Sequence, residues 1–144
     1  MPPIHHAGLD FTPLELLTAL VAERLDRLAD RMIRRGHSRL AVLGSLAHAE
    51  WLHESIHGMR AFPITAYVLN PWIDEAAGAT HRGVPVMTLT DPRLREVADT
   101  VLISDDRYEE ALRTEALRAT PPGVIVHRLY ERLAIGHEPA GRPP

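Results

Sequence analysis

The sequence predicts an α/β fold: about five parallel strands in the order 3-2-1-4-5, helices on both faces, and an extra amphipathic helix at the amino end. Three observations predict it. Short apolar runs recur at intervals long enough for a crossover between them. The runs are apolar at successive positions, as in strands buried on both faces. Several of the stretches between them carry helical spacing. At 144 residues the chain has the length of one domain, so a single core must serve every purpose.

Residues 1 to 11 and 134 to 144 are rich in Pro, Gly and His without periodicity, and are expected to be loose termini around a fold running from about 12 to 133. TPLELLTALVAERLDRLADRMIRRG (12 to 36) opens that fold as a helix. Thr12 is its N-cap, Pro13 lies in the first turn, Glu15 closes a T-x-x-E capping box, and Gly36 follows the basic pair Arg34 and Arg35. Leu14, Leu17, Val21, Leu25, Leu28 and Met32 form one apolar stripe, which must cover the sheet or meet a second copy. From 37 to 133 the texture alternates. RLAVLG (39 to 44) is the first strand and a helix follows from about 46 to 57. ITAYVL (64 to 69), VPVMTL (84 to 89), TVLIS (100 to 104) and VIVHRLY (124 to 130) supply the other four strands. DEAAGATHRG is expected as a loop or one broken turn, and DPRLREVA as about two helical turns. RYEEALRTEALRA is a strong helix, entered through Asp106 and Glu109 at capping-box spacing.

Composition excludes several classes of function. Hydrophobic residues make up 45% and charged residues 24%, the balance of a folded globular domain. A formal charge of -3 offers no general attraction to nucleic acid. All 16 basic residues are Arg, which removes Schiff-base chemistry and the phosphate-loop lysine. The lack of Cys removes disulfides, thiolate metal sites and cysteine nucleophiles. With no apolar run of signal-peptide or membrane-span length, a cytoplasmic protein is expected.

The strand-turn-helix AVLGSLAHAEWLHES is the place where doubly wound folds bind phosphates, because helix N-terminal amides and the helix dipole favour an anion there. Against G-x-G-x-x-G, Gly44 supplies the first position, while Leu46 and Ala49 stand at the second and third. A leucine at the second position obstructs the approach of a pyrophosphate to the backbone. Gly44 can equally be present only to make the turn, with Leu46 filling space above the sheet. Asn70 ends the second strand, where a ribose-binding carboxylate is usual; it can bond a sugar or start a turn with Pro71. Ser104 and Asp105 end the fourth strand and border the same crevice as Gly44 and Ser45 under the expected strand order. Capping of the following helix explains Asp106 without a ligand.

The ordered series LAVLGSLAHAEWL, ITAYVLN, GVPVM, ADTVLISDDRYEEAL and VIVHRLY resembles a small Rossmann-like domain found alone or appended to bacterial sugar methyltransferases and related sugar-modifying proteins. That family reads G-A-G-x-H at the first turn, Asp at the end of the second strand, and Ser-Ser before a helix beginning Tyr-Glu. Gly44, His48, Ser104, Tyr108 and Glu109 fit the pattern, while Ser45, Leu46, Asn70 and Asp105 depart from it. The resemblance spans about residues 39 to 131. It implies a nucleotide or nucleotide-sugar binding module without well-established chemistry of its own, and it adds His48 to Gly44, Ser45, Asn70, Ser104 and Asp105 as a candidate ligand contact.

His53-Glu54-Ser55-Ile56-His57 satisfies H-E-x-x-H, which on a helix places two imidazoles on one face for zinc, with the Glu as base. Glu75, Asp74 and His81 are candidates for a third ligand. Against this, His53 and His57 are expected on the exposed side if Leu46, Trp51, Leu52 and Ile56 face the sheet, and His near a helix carboxyl end is favourable by dipole alone. His127, mid-strand, is expected as a satisfied interior or edge histidine. Arg31, Arg34, Arg35 and Arg39 can hold an acidic partner or simply answer the helix dipole. The leading expectation is therefore a non-catalytic or accessory domain for a small phosphorylated or nucleotide-like ligand. A zinc hydrolase, and an interaction protein that assembles as a homo-oligomer or with a partner through the amino-terminal helix, are the alternatives.

Overall fold

A computed structural model describes residues 5–6, 9–10, 12–73 and 80–131. The expected termini outside those ranges, and Asp74 and Glu75, lie outside the described residues. A two-residue antiparallel ladder pairs His5–His6 with Leu9–Asp10. The first helix, α1 (Pro13–Arg35), is capped as its sequence requires: Thr12 Oγ1 accepts from Glu15 N at 3.1 Å, and Gly36 closes the helix at φ 67°.

The sheet has six strands: β1 (Leu40–Gly44), β2 (Ile64–Leu69), β3 (Thr80–His81), β4 (Val84–Met87), β5 (Thr100–Ser104) and β6 (Ile125–Arg128), in the spatial order β3-β4-β2-β1-β5-β6. The five expected strands pair in parallel in the expected order. β3 is the addition. It folds back antiparallel on β4 through Arg82 (φ 51°) and Gly83 (φ 75°), so part of the stretch read as a loop is an edge strand. This makes a doubly wound, Rossmann-like α/β fold.

Residue alternation assigns the two faces. Leu40 and Val42 of β1 point to the face covered by α1 and by α2 (Leu46–Ser55). Ala41 and Leu43 point to the face covered by α3 (Leu94–Val97) and α4 (Glu109–Ala119). The α1 stripe therefore covers the sheet. Val21, Leu25, Leu28 and Met32 are buried, each stabilising the fold by about 1.5–3 kcal/mol, whereas Leu14, at 62% exposure, is outside the core.

Three expectations need correction. α2 stops at Ser55, where Ile56 turns extended (φ -124°, ψ 106°), and a 3-10 turn over His57–Ala61 replaces the expected last turn. DPRLREVA forms a single α-turn. The α4 start is secured by Asp105, whose Oδ1 accepts from Arg107 N (2.8 Å) and Tyr108 N (2.7 Å); Asp106 is exposed, and Glu109 bonds elsewhere. A carboxylate at the strand end reaches these amides first because the chain bends sharply there.

Candidate functional site

From β1 the chain winds outward through β2 to β4, then returns across the sheet to β5 and β6. β1 and β5 are thus neighbours whose connections leave in opposite directions, and the crevice at their carboxyl ends is where open α/β sheets receive ligands. Gly44, Ser45, His48, Asn70, Ser104 and Asp105 converge there.

Gly44 is dictated by β5. Its φ is 143°, and a Cβ at this position would lie 2.3 Å from the Ser104 carbonyl oxygen and 3.3 Å from Asp105 Cβ. The residue permits the close approach of two strand ends, a demand separate from any made by a ligand. Ser45 caps α2, its Oγ accepting from His48 N at 3.4 Å. Leu46 packs against the α1-side core, so it fills space above the sheet, one of the two roles its sequence position allowed.

Two short networks sit above this turn. His48 bridges two hydroxyls: Nδ1 lies 2.6 Å from Ser104 Oγ, and Nε2 lies 2.5 Å from Tyr130 OH. Burial lowers the His48 pKa, with Asp106 and Asp105 pulling it back up. Burial also pushes the Tyr130 hydroxyl well above its usual range, so it remains neutral. In the second network Asn70 Nδ2 donates to Asp105 Oδ2 at 2.8 Å, while Asn70 Oδ1 accepts from Trp72 N at 2.8 Å. Asn70, Ser104 and Asp105 are all essentially inaccessible. Asn70 thus performs the turn role and also ties β2 to β5.

Tyr130 and Glu109 complete the site. Glu109 Oε2 accepts from Leu129 N (2.9 Å) and Tyr130 N (2.8 Å), holding the chain where it leaves β6 and aiming Tyr130 at His48. Burial raises the Glu109 pKa to about 7, against the opposing pull of those two amides and Arg128. The family resemblance points to Glu109, but no sequence signal marks Tyr130, which is expected inside the fifth strand and lies instead two residues beyond its end at Arg128.

The H-E-x-x-H residues are not brought together. His53 is on α2 and buried, contrary to the expected exposed side, with Nε2 2.9 Å from Tyr67 OH. Glu54 is exposed on the last turn of α2, and His57 is exposed on the following 3-10 turn. Because the helix breaks at Ile56, the i, i+4 geometry that joins two imidazoles is lost. His81 bonds Glu50 Oε1 at 2.6 Å, and Arg82 also pairs with that carboxylate. Among the described residues, no group of three His, Asp or Glu is placed to hold a metal ion. Three of the four arginines are engaged separately: Arg31 turns inward to His127, Arg34 bonds the Asp30 carbonyl, and Arg39 bonds the Glu96 carbonyl and faces Asp99. Also among the described residues, no helix is long and apolar enough to cross a membrane.

No protein-family model and no curated protein matches the chain. A crystal structure of a Rex-family repressor is similar over 74% of this chain and 59% of that one, at 16% identity and a TM-score of 0.38. The chain therefore spans less than two thirds of that protein. At this score the match adds nothing to the strand order, which rests on the chain's own hydrogen bonds.

Proposed function

We propose that this domain binds a small phosphorylated or nucleotide-like ligand at the carboxyl ends of β1 and β5, acting as a sensor or accessory module with no catalytic residue of its own. The observation that carries the reading is the meeting, at the topological switch point, of the α2 amino terminus with Ser45, His48, Ser104 and the Asn70–Asp105 pair. His48 and the hydroxyls of Ser104 and Tyr130 can each donate or accept, so they can exchange a bond to one another for a bond to a ligand. Position 46 narrows the ligand class, because it carries a leucine and not the glycine that lets a dinucleotide pyrophosphate meet the backbone. A single phosphate or a sugar hydroxyl is therefore favoured over NAD or FAD.

Isothermal titration against nucleoside monophosphates and nucleotide sugars tests this. Binding in the wild type that is lost in His48→Ala supports it; silence across the panel at millimolar ligand removes it. An interaction domain is the second reading, favoured by the exposure of Leu14 (62%), Leu16 (50%) and Ile33 (76%) on α1. Because α1 is part of the core, the check is light scattering on Leu14→Glu/Ile33→Glu, and an unchanged particle size rejects assembly through that helix.

A further inference from the structure

A groove of about 1030 Å³ lies on the opposite side of the domain from α1, between α3 and α4, just above the ~300–1,000 Å³ typical of ligand sites. It exists because α3 is only one turn long and leaves the flank of α4 uncovered. Its apolar wall is Pro71, Trp72 and Leu89, and Thr88 and Thr90 add hydroxyls. Trp72 is held at two points: its backbone N–H by Asn70 Oδ1, and its ring by Tyr108, with centroids 5.9 Å apart and planes tilted by 43°. The charges on the lip divide into two kinds. Asp91 is neutralised by Arg93, and Glu115 by Arg118. Arg95 and Glu96 line the groove as well, and among the described residues neither side chain has a partner.

We propose that this groove binds a flat, amino-substituted heteroaromatic ring of the nucleobase class, stacked on Trp72, with Glu96 accepting from its ring donors and Arg95 facing its ring acceptors. A pre-positioned indole supplies stacking at little ordering cost. The adjacent free carboxylate and guanidinium suit a ring edge that carries both donors and acceptors, whereas a simple aromatic acid would meet Glu96 with like charge. The inference goes beyond the crevice reading: it uses none of Ser45, His48 or Ser104, and it stands or falls separately.

The test uses adenosine, which lacks phosphate. The chain has two Trp, so Trp51→Phe leaves Trp72 as the single reporter. Adenosine is expected to quench its emission saturably, and titration calorimetry on the wild-type protein should give a matching affinity. Loss of the indole in Trp72→Leu should weaken binding about 10- to 100-fold, the range of base-aromatic stacking. Trp72→Phe should recover most of that loss, and Glu96→Gln, an exposed change that leaves the fold intact, should weaken binding about tenfold. His48→Ala should bind adenosine as the wild type does, even where it has lost a phosphorylated ligand. Absence of quenching at millimolar adenosine overturns the proposal, and so does equal affinity in Trp72→Leu or Glu96→Gln. If Trp72→Leu fails to fold, the Phe and Gln variants decide the matter.

Discussion

His127 and His48 are both drawn out of water against the same sheet, one beneath α1 and the other at the carboxyl edge, and their surroundings differ in kind. His127 donates through Nε2 to the Arg24 carbonyl at 3.0 Å and accepts at Nδ1 from Arg31, also at 3.0 Å. Main chain and a permanent cation leave it a single tautomer and no room for a second proton. Its pKa falls to about 4, mainly by desolvation. His48 instead touches two rotatable hydroxyls, either of which can reverse its role. The first arrangement fixes a helix to a sheet, whereas the second is made of groups that can exchange donor and acceptor roles without moving the backbone.

The largest effect that would sharpen this contrast concerns the floor beneath His48. Gly44→Ala forces a methyl into the Ser104 carbonyl at a φ that L-residues avoid, and should destabilise the domain by about 3 kcal/mol or more. Gly36→Ala, also at positive φ but in open space, should destabilise it by only about 1 kcal/mol. Denaturant unfolding of the two variants measures the difference. Equal losses would mean that close strand approach is not what Gly44 provides.

Next in size is the pH dependence. His127 carries a native value near 4 against 6.5 in the unfolded chain, so the unfolded state takes up the extra proton between those limits. Stability is then full above about pH 6.5 and falls by about 3 kcal/mol as pH drops toward 4. Burial of His48 and His53 acts in the same direction. Glu109 opposes them: its value is raised from 4.5 to about 7, so the native state holds the extra proton, and its contribution is lost as pH rises through that range. The unfolding free energy of Glu109→Gln should rise more steeply between pH 4 and 7 than that of the wild type. A flatter curve in that variant would show that the carboxylate is not under the burial described.

Removing one partner of the buried amide–carboxylate pair is a smaller change. Asn70→Ala leaves Asp105 Oδ2 without its donor and frees the Trp72 turn, a loss of about 2 kcal/mol that urea titration can follow. His48→Ala, by contrast, strands the neutral hydroxyls of Ser104 and Tyr130 and not a carboxylate, and should destabilise by about 1 kcal/mol. If His48→Ala destabilises more than Asn70→Ala, the crevice is wired as rigidly as the region under α1, and its proposed adaptability fails.

What the sequence made legible follows the same division. Strands apolar on both faces announced themselves, and with them the order of the parallel sheet; Thr12, Pro13 and Gly36 marked α1 because caps are local chemistry. Gly44, Asn70, Ser104 and Asp105 were readable because they end strands. Tyr130, the Glu109 amide clamp and the short edge strand were not, since each depends on a partner 20 or more residues away or on a two-residue ladder too short to carry a period. The separation of the two H-E-x-x-H histidines was not legible for the same reason, because nothing local shows that Ile56 turns extended.

The smallest expected effect belongs to the outer edge. There Glu50 on α2 holds His81 and Arg82 of the β3–β4 hairpin, with Arg82 foremost in lowering its pKa to about 2. The carboxylate is depressed, so its contribution is present above about pH 4.5 and is lost as pH falls toward 2. Because this cluster is partly open to water, screening reduces the gain, and Glu50→Gln should destabilise the domain by at most about 1 kcal/mol. Hydrogen exchange offers the sharper reading: protection should fall at Val84 to Met87 while Leu40 to Gly44 remains unchanged. Loss of protection across β1 as well would place the hairpin in the same cooperative unit as the crevice, and the separation between a fixed centre and an adjustable edge would have to be redrawn.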